Sequence, residues 1–317
     1  MPERRDAQGT GDGETGESDV REICVIGGNR YFGKRLISRL TAAGDQVTVI
    51  NRGSSAPPAG AIHLIADRND ENSLEKALGS RTFDVVVDQV CYTPRQAEIA
   101  RRVFAGRTRR YVMTSTVEVY EDTADPVGED AVDPRTVAVD PGLPWDDADF
   151  LDTHYGEGKR QAEAVFAADP GFPYVAVRVA HVLGGDDDFT GRLEHYADRI
   201  RTGRTIAVPP VNHPATYIHV EEIADFLFWT VGEDFTGPVN AASHGPLTTQ
   251  ELCEAITAHL PDGKAVLGAV QVGEVSPFSF SRSYGMDNSR ATRLGFPFGD
   301  ARAWLPRAVA ETLGKGN

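Results

Sequence analysis

The sequence predicts an α/β fold, a Rossmann-type doubly wound parallel sheet followed by a smaller mixed lobe. Three observations predict it. Short apolar runs of the kind that fill strands buried on both faces recur through the first half of the chain, among them Ile23–Ile26, Val47–Ile50 and Phe83–Val87. Segments with apolar residues at helical spacing separate them, and such alternation belongs to a parallel sheet covered on both sides. The first run leads through a glycine cluster, Gly27-Gly28-Asn29-Arg30-Tyr31-Phe32-Gly33, into the first helix.

Each element has its own signal. After the strand Ile23–Ile26, residues Phe32, Leu36, Ile37 and Leu40 mark a helix that Gly44 stops. Val47–Ile50 and Ile62–Ile65 are the second and third strands, and Asn72–Leu78 is a short helix. Phe83–Val87 is the fourth strand. Thr93-Pro94 opens the next helix, with Pro94 at the first helical position and Gln96 in a capping box. Arg110–Met113 is the fifth strand, Tyr155–Ala168 a long helix and Tyr174–Val179 the sixth strand. Beyond Leu183 the rhythm breaks into a loop at Gly184–Asp188, a helix over Phe189–Arg201, a strand over Ala215–His219 and a helix over Glu221–Val231. A further helix runs to Leu260 from the cap Thr248-x-x-Glu251.

Composition narrows the function classes. Of 317 residues 40% are hydrophobic and 25% charged, an ordinary globular balance, and the formal net charge is −15. That charge argues against nucleic acid or an acidic membrane as the main partner, since phosphate attraction needs clustered cations. Three distant cysteines, Cys24, Cys91 and Cys253, fit a reducing cytoplasm better than a disulfide framework. The eight histidines show no metal-ligand spacing, so no metal is expected. Residues 1–20 are rich in Gly, Asp and Glu, too poor in apolar groups to offset the entropy of ordering, and read as a disordered tail. They hold no apolar signal core, and no run of the chain approaches the length of a membrane span.

The glycine turn carries the first functional reading. A dinucleotide pyrophosphate needs close approach to the backbone N–H groups at a helix N-terminus, and glycine permits it. Gly27, Asn29, Arg30, Tyr31, Phe32 and Gly33 are therefore candidate cofactor contacts. The second strand ends in Asn51-Arg52-Gly53-Ser54-Ser55, without the carboxylate that meets a free ribose 2′-hydroxyl. Arg52 can pair with a 2′-phosphate and Arg30 can reach it, so NADP is preferred over NAD. Asp67 and Arg68, after the third strand, stand where a side chain meets the adenine. This divides the chain into the tail, a dinucleotide-binding domain over 21–183, and a smaller substrate lobe over 184–317 whose segments near 215–241 return to the first domain.

The second functional reading concerns protons. The fifth strand runs into Thr114-Ser115-Thr116-Val117-Glu118-Val119-Tyr120, and Tyr155-Gly-Glu-Gly-Lys159 follows. Residues four apart share a helix face, so Tyr155 and Lys159 point together. An ammonium there favours tyrosinate and lowers the phenol pKa toward the working range, and Thr116 can orient the same substrate oxygen.

These motifs, in this order, resemble the extended short-chain dehydrogenase/reductase superfamily, in its NAD(P)-dependent epimerase/dehydratase branch. The likeness runs from about Arg21 to Gly299 and includes Arg178-Val-Ala-His-Val-Leu-Gly184, Tyr217-Ile-His-Val-Glu-Glu-Ile-Ala224 and Val239-Asn-Ala-Ala. The resemblance implies a catalytic set of Thr116, Tyr155 and Lys159, with Thr114, Val179 and His181 near the cofactor and His181 also lining the substrate pocket. Ser115-Thr116-Val117-Glu118-Val119-Tyr120 is similar to the stretch in which sugar-nucleotide dehydratases place a glutamate base, so Glu118 is a candidate base and substrate contact. Val117 stands where those enzymes often carry an Asp. Asp88-Gln89-Val90-Cys91 replaces the family's H-x-A-A, and Ala215 replaces an arginine that often holds a phosphate. Arg282, in an R-x-Y-x-x-D stretch, is placed to hold a diphosphate instead. The implied substrate is sugar-like and nucleotide-activated, acted on by hydride transfer at a hydroxyl or keto carbon. The resemblance also allows a homodimer, although the region between the fourth and fifth strands that forms a common dimer surface is short here. Two alternatives stand beside it: an NADPH-dependent ketoreductase of a non-nucleotide natural product, and a non-catalytic cofactor- or RNA-binding regulatory protein. The glycine turn with Arg30 resembles a chloroplast RNA-binding branch of the superfamily.

Overall fold

The computed structural model describes residues 20–121, 126–270 and 272–314. Apart from Val20, the segment expected as a disordered tail lies outside the described residues. The chain alternates β1 (Glu22–Ile26), α1 (Tyr31–Ala42), β2 (Gln46–Asn51), β3 (Ile62–Ile65), α2 (Glu71–Leu78), β4 (Phe83–Asp88), α3 (Pro94–Phe104) and β5 (Thr108–Thr116). Then come α4 (Ala148–Thr153), α5 (Tyr155–Ala167), β6 (Tyr174–Val179), β7 (His181–Leu183), α6 (Arg192–Thr202), β8 (Thr205–Val208), β9 (Tyr217–His219) and α7 (Val220–Gly232). The chain closes with β10 (Gly237–Ala241), α8 (Thr249–His259), β11 (Val266–Ala269), α9 (Ser289–Leu294) and α10 (Ala301–Leu313).

Seven parallel strands form the central sheet in the order β10-β6-β5-β4-β1-β2-β3. The order reverses between β1 and β4, and the crevice outside the strand ends at such a reversal is where open α/β sheets bind ligands. Successive strand residues enter opposite cores, which is why the strands read as continuous apolar runs. Ile23, Val25, Val47, Val49, Val85 and Val87 pack with Leu36, Ile37 and Leu40 of α1 and Ile223, Phe226 and Leu227 of α7. Cys24, Ile26, Ile50, Val86 and Met113 pack with Leu74 and Leu78 of α2, Val103 and Phe104 of α3, and Phe166 of α5. A third core gathers Leu193, Tyr196 and Ile200 of α6, Ile206 of β8, Leu252 and Ile256 of α8, and Leu305 and Val309 of α10.

The differences from expectation lie mostly outside the sheet. The helix expected from Phe189 starts at Arg192, because Gly191 turns the chain with φ +65° and leaves Phe189 exposed. The strand expected over Ala215–His219 is only Tyr217–His219. Strand β5 is longer than Arg110–Met113, since Thr114, Ser115 and Thr116 keep pairing with β6. Among the described residues no helix is long and apolar enough to cross a membrane.

Candidate active site

The glycine turn leaves β1 at the reversal point. Gly27 and Gly28 adopt φ +79° and +77°, and the Gly27 N–H donates to the Ile50 carbonyl at 2.8 Å. A Cβ on Gly33 would lie 2.2 Å from Gln89 Oε1 and 2.6 Å from the Gly28 Cα, so α1 approaches the turn only with glycine there. Helix α1 has no side-chain cap, which leaves its first N–H groups for an anion. Asn29 Oδ1 and Gln89 Nε2 are buried without hydrogen-bond partners beside this turn. Uncapped donors, orphaned polar atoms and a glycine cradle together fit a bound dinucleotide. The Arg30 guanidinium lies 5.8 Å from the Phe189 ring centroid. Phe32 is half-buried against the core, and Tyr31 is directed elsewhere: its ring is buried and its hydroxyl donates to the Gly184 carbonyl at 2.7 Å.

On the adenosine side, Asn51 Oδ1 accepts from the Gly53 N–H at 2.7 Å and lies 3.0 Å from His63 Nε2. Arg52 is exposed and, among the described residues, has no ion pair. Asp67 is exposed, and its Oδ1 accepts from the Asn69 N–H at 2.9 Å. Arg68 departs from the sequence reading. Its guanidinium turns inward and pairs with Asp88, which also accepts from the Tyr111 hydroxyl at 2.6 Å and the Val90 N–H at 2.9 Å. Asp88 is fully buried at the end of β4, and a buried carboxylate requires such a cation and donors.

The proton-handling residues converge at the start of α5. A Cβ on Gly156 would lie 2.2 Å from the Glu118 carbonyl, and one on Gly158 2.4 Å from the Tyr92 carbonyl. The two glycines thus let the first turn of α5 sit between the turn Val117–Val119 and Tyr92, which places Tyr155 next to the end of β5. The Thr116 hydroxyl lies close enough to Tyr155 to lower its phenol pKa, and it accepts from the Glu118 N–H at 3.2 Å. The Lys159 ammonium is buried, donates to the Thr114 carbonyl at 2.7 Å and lies 4.5 Å from the Tyr92 ring centroid and 5.7 Å from that of Tyr155. Burial lowers its pKa to about 8, with Cys91 and Asp88 opposing. Here the protein alone differs from the sequence reading, which has the ammonium lowering the phenol pKa. Burial, then Tyr92, push the Tyr155 pKa up, while the Thr116 hydrogen bond and Arg192 pull it down. Lys159 spends its charge on the Thr114 carbonyl and the Tyr92 face.

Across the cleft, the Glu118 carboxylate accepts from Arg282 Nη2 at 2.9 Å and from the Tyr284 hydroxyl at 3.0 Å. Arg282, read from the sequence as a diphosphate ligand, is therefore engaged with Glu118 in this structure. Val179 is buried at the end of β6, and the Thr114 hydroxyl is buried without a partner. His181 stacks on Phe280 at 4.9 Å and lies 5.0 Å from the Tyr284 ring. Burial among these rings, reinforced by Arg192 and Arg282, lowers its pKa to about 3, so it is a neutral imidazole at physiological pH. Sequence reasoning did not single out Tyr92, Arg192 or Tyr284. Arg192, exposed on the first turn of α6 and without an ion pair among the described residues, is close enough to Tyr155 and His181 to lower both pKa values. Its only local sign is a cation directly after the exposed pair Thr190-Gly191. Among the described residues no group of three or more His, Cys, Asp or Glu side chains is arranged to hold a metal.

The family model that matches is the NAD dependent epimerase/dehydratase family, over residues 23–242. The chain is similar to the chloroplast stem-loop binding protein of 41 kDa b of Arabidopsis thaliana, 24% identical over 237 residues, 68% of this chain and 57% of that protein. It is similar also to UDP-glucuronic acid decarboxylase 1 of Arabidopsis thaliana, 22% identical over 284 residues, 78% of this chain and 62% of that protein. The chain thus spans less than two thirds of the length of these curated relatives. Among solved structures, UDP-glucose 4-epimerase of Thermus thermophilus in complex with NAD matches with a TM-score of 0.65 at 18% identity, over 92% of this chain and 99% of that one. At that identity the likeness is one of fold.

Proposed function

The chain belongs to the NAD dependent epimerase/dehydratase family, and from that membership we propose that it moves hydride between NADP(H) and a hydroxyl- or keto-bearing carbon of a nucleotide-activated sugar. The observation that carries the reading is the joint placement of Tyr155, Thr116 and Lys159 at the strand ends beside the uncapped N-terminus of α1.

Gly27, Asn29, Gly33 and the first N–H groups of α1 are the residues that would hold the pyrophosphate. The nicotinamide, when bound, supplies the hydride acceptor and donor. The protein's own part is proton movement. The Tyr155 hydroxyl oxygen takes the proton of the substrate hydroxyl as the carbonyl forms, and returns it in reverse. Thr116 holds that oxygen in line by its hydrogen bond. Lys159 keeps an ammonium one helical turn behind the phenol, held by the Thr114 carbonyl, and the positive cofactor ring, when bound, would favour tyrosinate. NADP is preferred because Arg52, just after β2, lies exposed and among the described residues has no ion pair, and the strand ends in Asn51 rather than a carboxylate that would oppose a 2′-phosphate. Its nucleotide-sugar substrate class is supported by the decarboxylase and epimerase relatives.

The test is a mass-spectrometric screen of nucleotide sugars with each cofactor. Loss of water, unchanged mass with altered mobility, and gain of two hydrogens separate dehydration, epimerisation and reduction. Absence of any turnover across the panel with both cofactors contradicts the proposal. A second reading, RNA association, is favoured by the likeness to the chloroplast stem-loop binding protein and by Arg30 in the glycine turn. Tight RNA binding that weakens steeply with salt, without turnover, would support it instead.

A further inference from the structure

Glu118 sits at the seam between the central sheet and the C-terminal lobe, and it is held from both sides. Its backbone lies in the turn that follows β5, pressed against Gly156 so closely that no Cβ fits between them. Its carboxylate is gripped from the lobe. Arg282 Nη2 and the Tyr284 hydroxyl both donate to the same oxygen, Oε2. Among the described residues no hydrogen bond reaches Oε1.

Tyr284 is itself fixed at every level. Its carbonyl accepts from the Thr216 N–H at 3.1 Å and from the Thr216 hydroxyl at 2.9 Å. Its ring stands 4.6 Å from Phe280 and 5.0 Å from His181, and the Arg282 guanidinium lies 3.7 Å from its centroid. A group packed on its ring and bonded at both ends holds whatever it bonds in one orientation.

We propose that Tyr284 is a positioning residue for proton transfer at carbon: with Arg282 it clamps Oε2 of Glu118 and leaves Oε1 as the atom that takes and returns the substrate proton. The proposal rests on the function proposed above. Once the substrate hydroxyl has become a carbonyl, its hydride passed to the cofactor and its proton to Tyr155, the neighbouring C–H bond is acidic. Its proton passes to Oε1. The C–H electron pair becomes the carbon–carbon double bond of an enolate, and the carbonyl π pair moves to oxygen, facing Tyr155 and Thr116. Return of the Oε1 proton to carbon closes the cycle with no further reactant.

The test follows deuterium from heavy water into the sugar, using the nucleotide sugars that the unsubstituted protein turns over. That protein should incorporate deuterium next to the oxidised carbon. Tyr284→Phe keeps the ring and removes the hydroxyl. It should lower incorporation at least tenfold, while KM and the rate of cofactor reduction in a single turnover stay within about twofold. Glu118→Gln should abolish incorporation, and adding Tyr284→Phe to it should cost nothing more. Incorporation unchanged in Tyr284→Phe overturns the proposal, as does a parallel fall of incorporation and cofactor reduction, the mark of a merely structural role. Turnover without deuterium in the unsubstituted protein overturns the proposal alone. No turnover of any panel member overturns the proposed function and this inference with it.

Discussion

At the scale of single residues, the site is legible where the chemistry is local. Tyr155 and Lys159 are one helical turn apart, so spacing alone brings them to one face. Glu118 and Tyr284 are 166 positions apart, and nothing in the neighbourhood of either foretells their contact. Arg68 shows the converse. Its place after β3 suggests a cofactor contact, but the buried Asp88 captures it. Among the described residues Arg52 faces no such competitor. A charge-assisted pair with a phosphate contributes about 1.5–3 kcal/mol, so Arg52→Ala should weaken NADP+ binding roughly ten- to a hundredfold and leave NAD+ binding unchanged. Calorimetric titration with both cofactors checks this, and equal losses for the two would contradict it. Lys159 gives a pH dependence. Its pKa in the folded chain is about 8, lowered from 10.5, so the ammonium is present below about pH 8 and lost as pH rises through that value. The pH profile of kcat/KM should therefore fall on its basic side near pH 8. Lys159→Arg, which stays charged, should remove that fall even if its plateau is lower.

At the scale of elements, the inner strands of the sheet are legible because they are buried on both faces and so carry apolar runs, whereas the edge strand β3 shows itself by Ile62, Leu64 and Ile65 although it is half exposed. Strands β8, β10 and β11 carry no such run: they span four or five residues, and β10 begins with Gly237-Pro238. Glycine and proline there look like a joint, and only pairing with β6 makes β10 a strand. Helix α5 shows how a backbone contact decides a sign. Glycine inside a helix ordinarily costs about 0.5–1 kcal/mol relative to alanine, so Gly156→Ala would stabilise an isolated helix. Here the new methyl would lie 2.2 Å from the Glu118 carbonyl. Overpacking of this kind costs about 1–3 kcal/mol, so Gly156→Ala should lower the melting temperature and, by displacing Tyr155, reduce turnover. A raised melting temperature with full activity would contradict that packing.

At the scale of the whole molecule, the candidate site exists only where separate pieces meet. The glycine turn follows β1, Gln89 follows β4, Thr116 and Glu118 follow β5, Tyr155 and Lys159 open α5, and His181, Arg282 and Tyr284 come from later in the chain. The α/β class and the Rossmann order were legible because a repeated local pattern encodes them. The lobe was less so, since its third core is assembled from segments as distant as Leu183 and Val309. The chain as a whole carries a net charge of −15, which gives the exposed Arg30 and Arg192 beside this cleft particular weight in drawing an anionic ligand inward. The central claim is that the Tyr155 phenol exchanges the proton while the cofactor exchanges hydride. Its most direct test is Tyr155→Phe, read as turnover of the nucleotide sugar found in the screen alongside the Kd for NADP+. Turnover should fall about 10²–10⁴-fold with the Kd unchanged, whereas turnover retained at the level of the unsubstituted protein would contradict the claim.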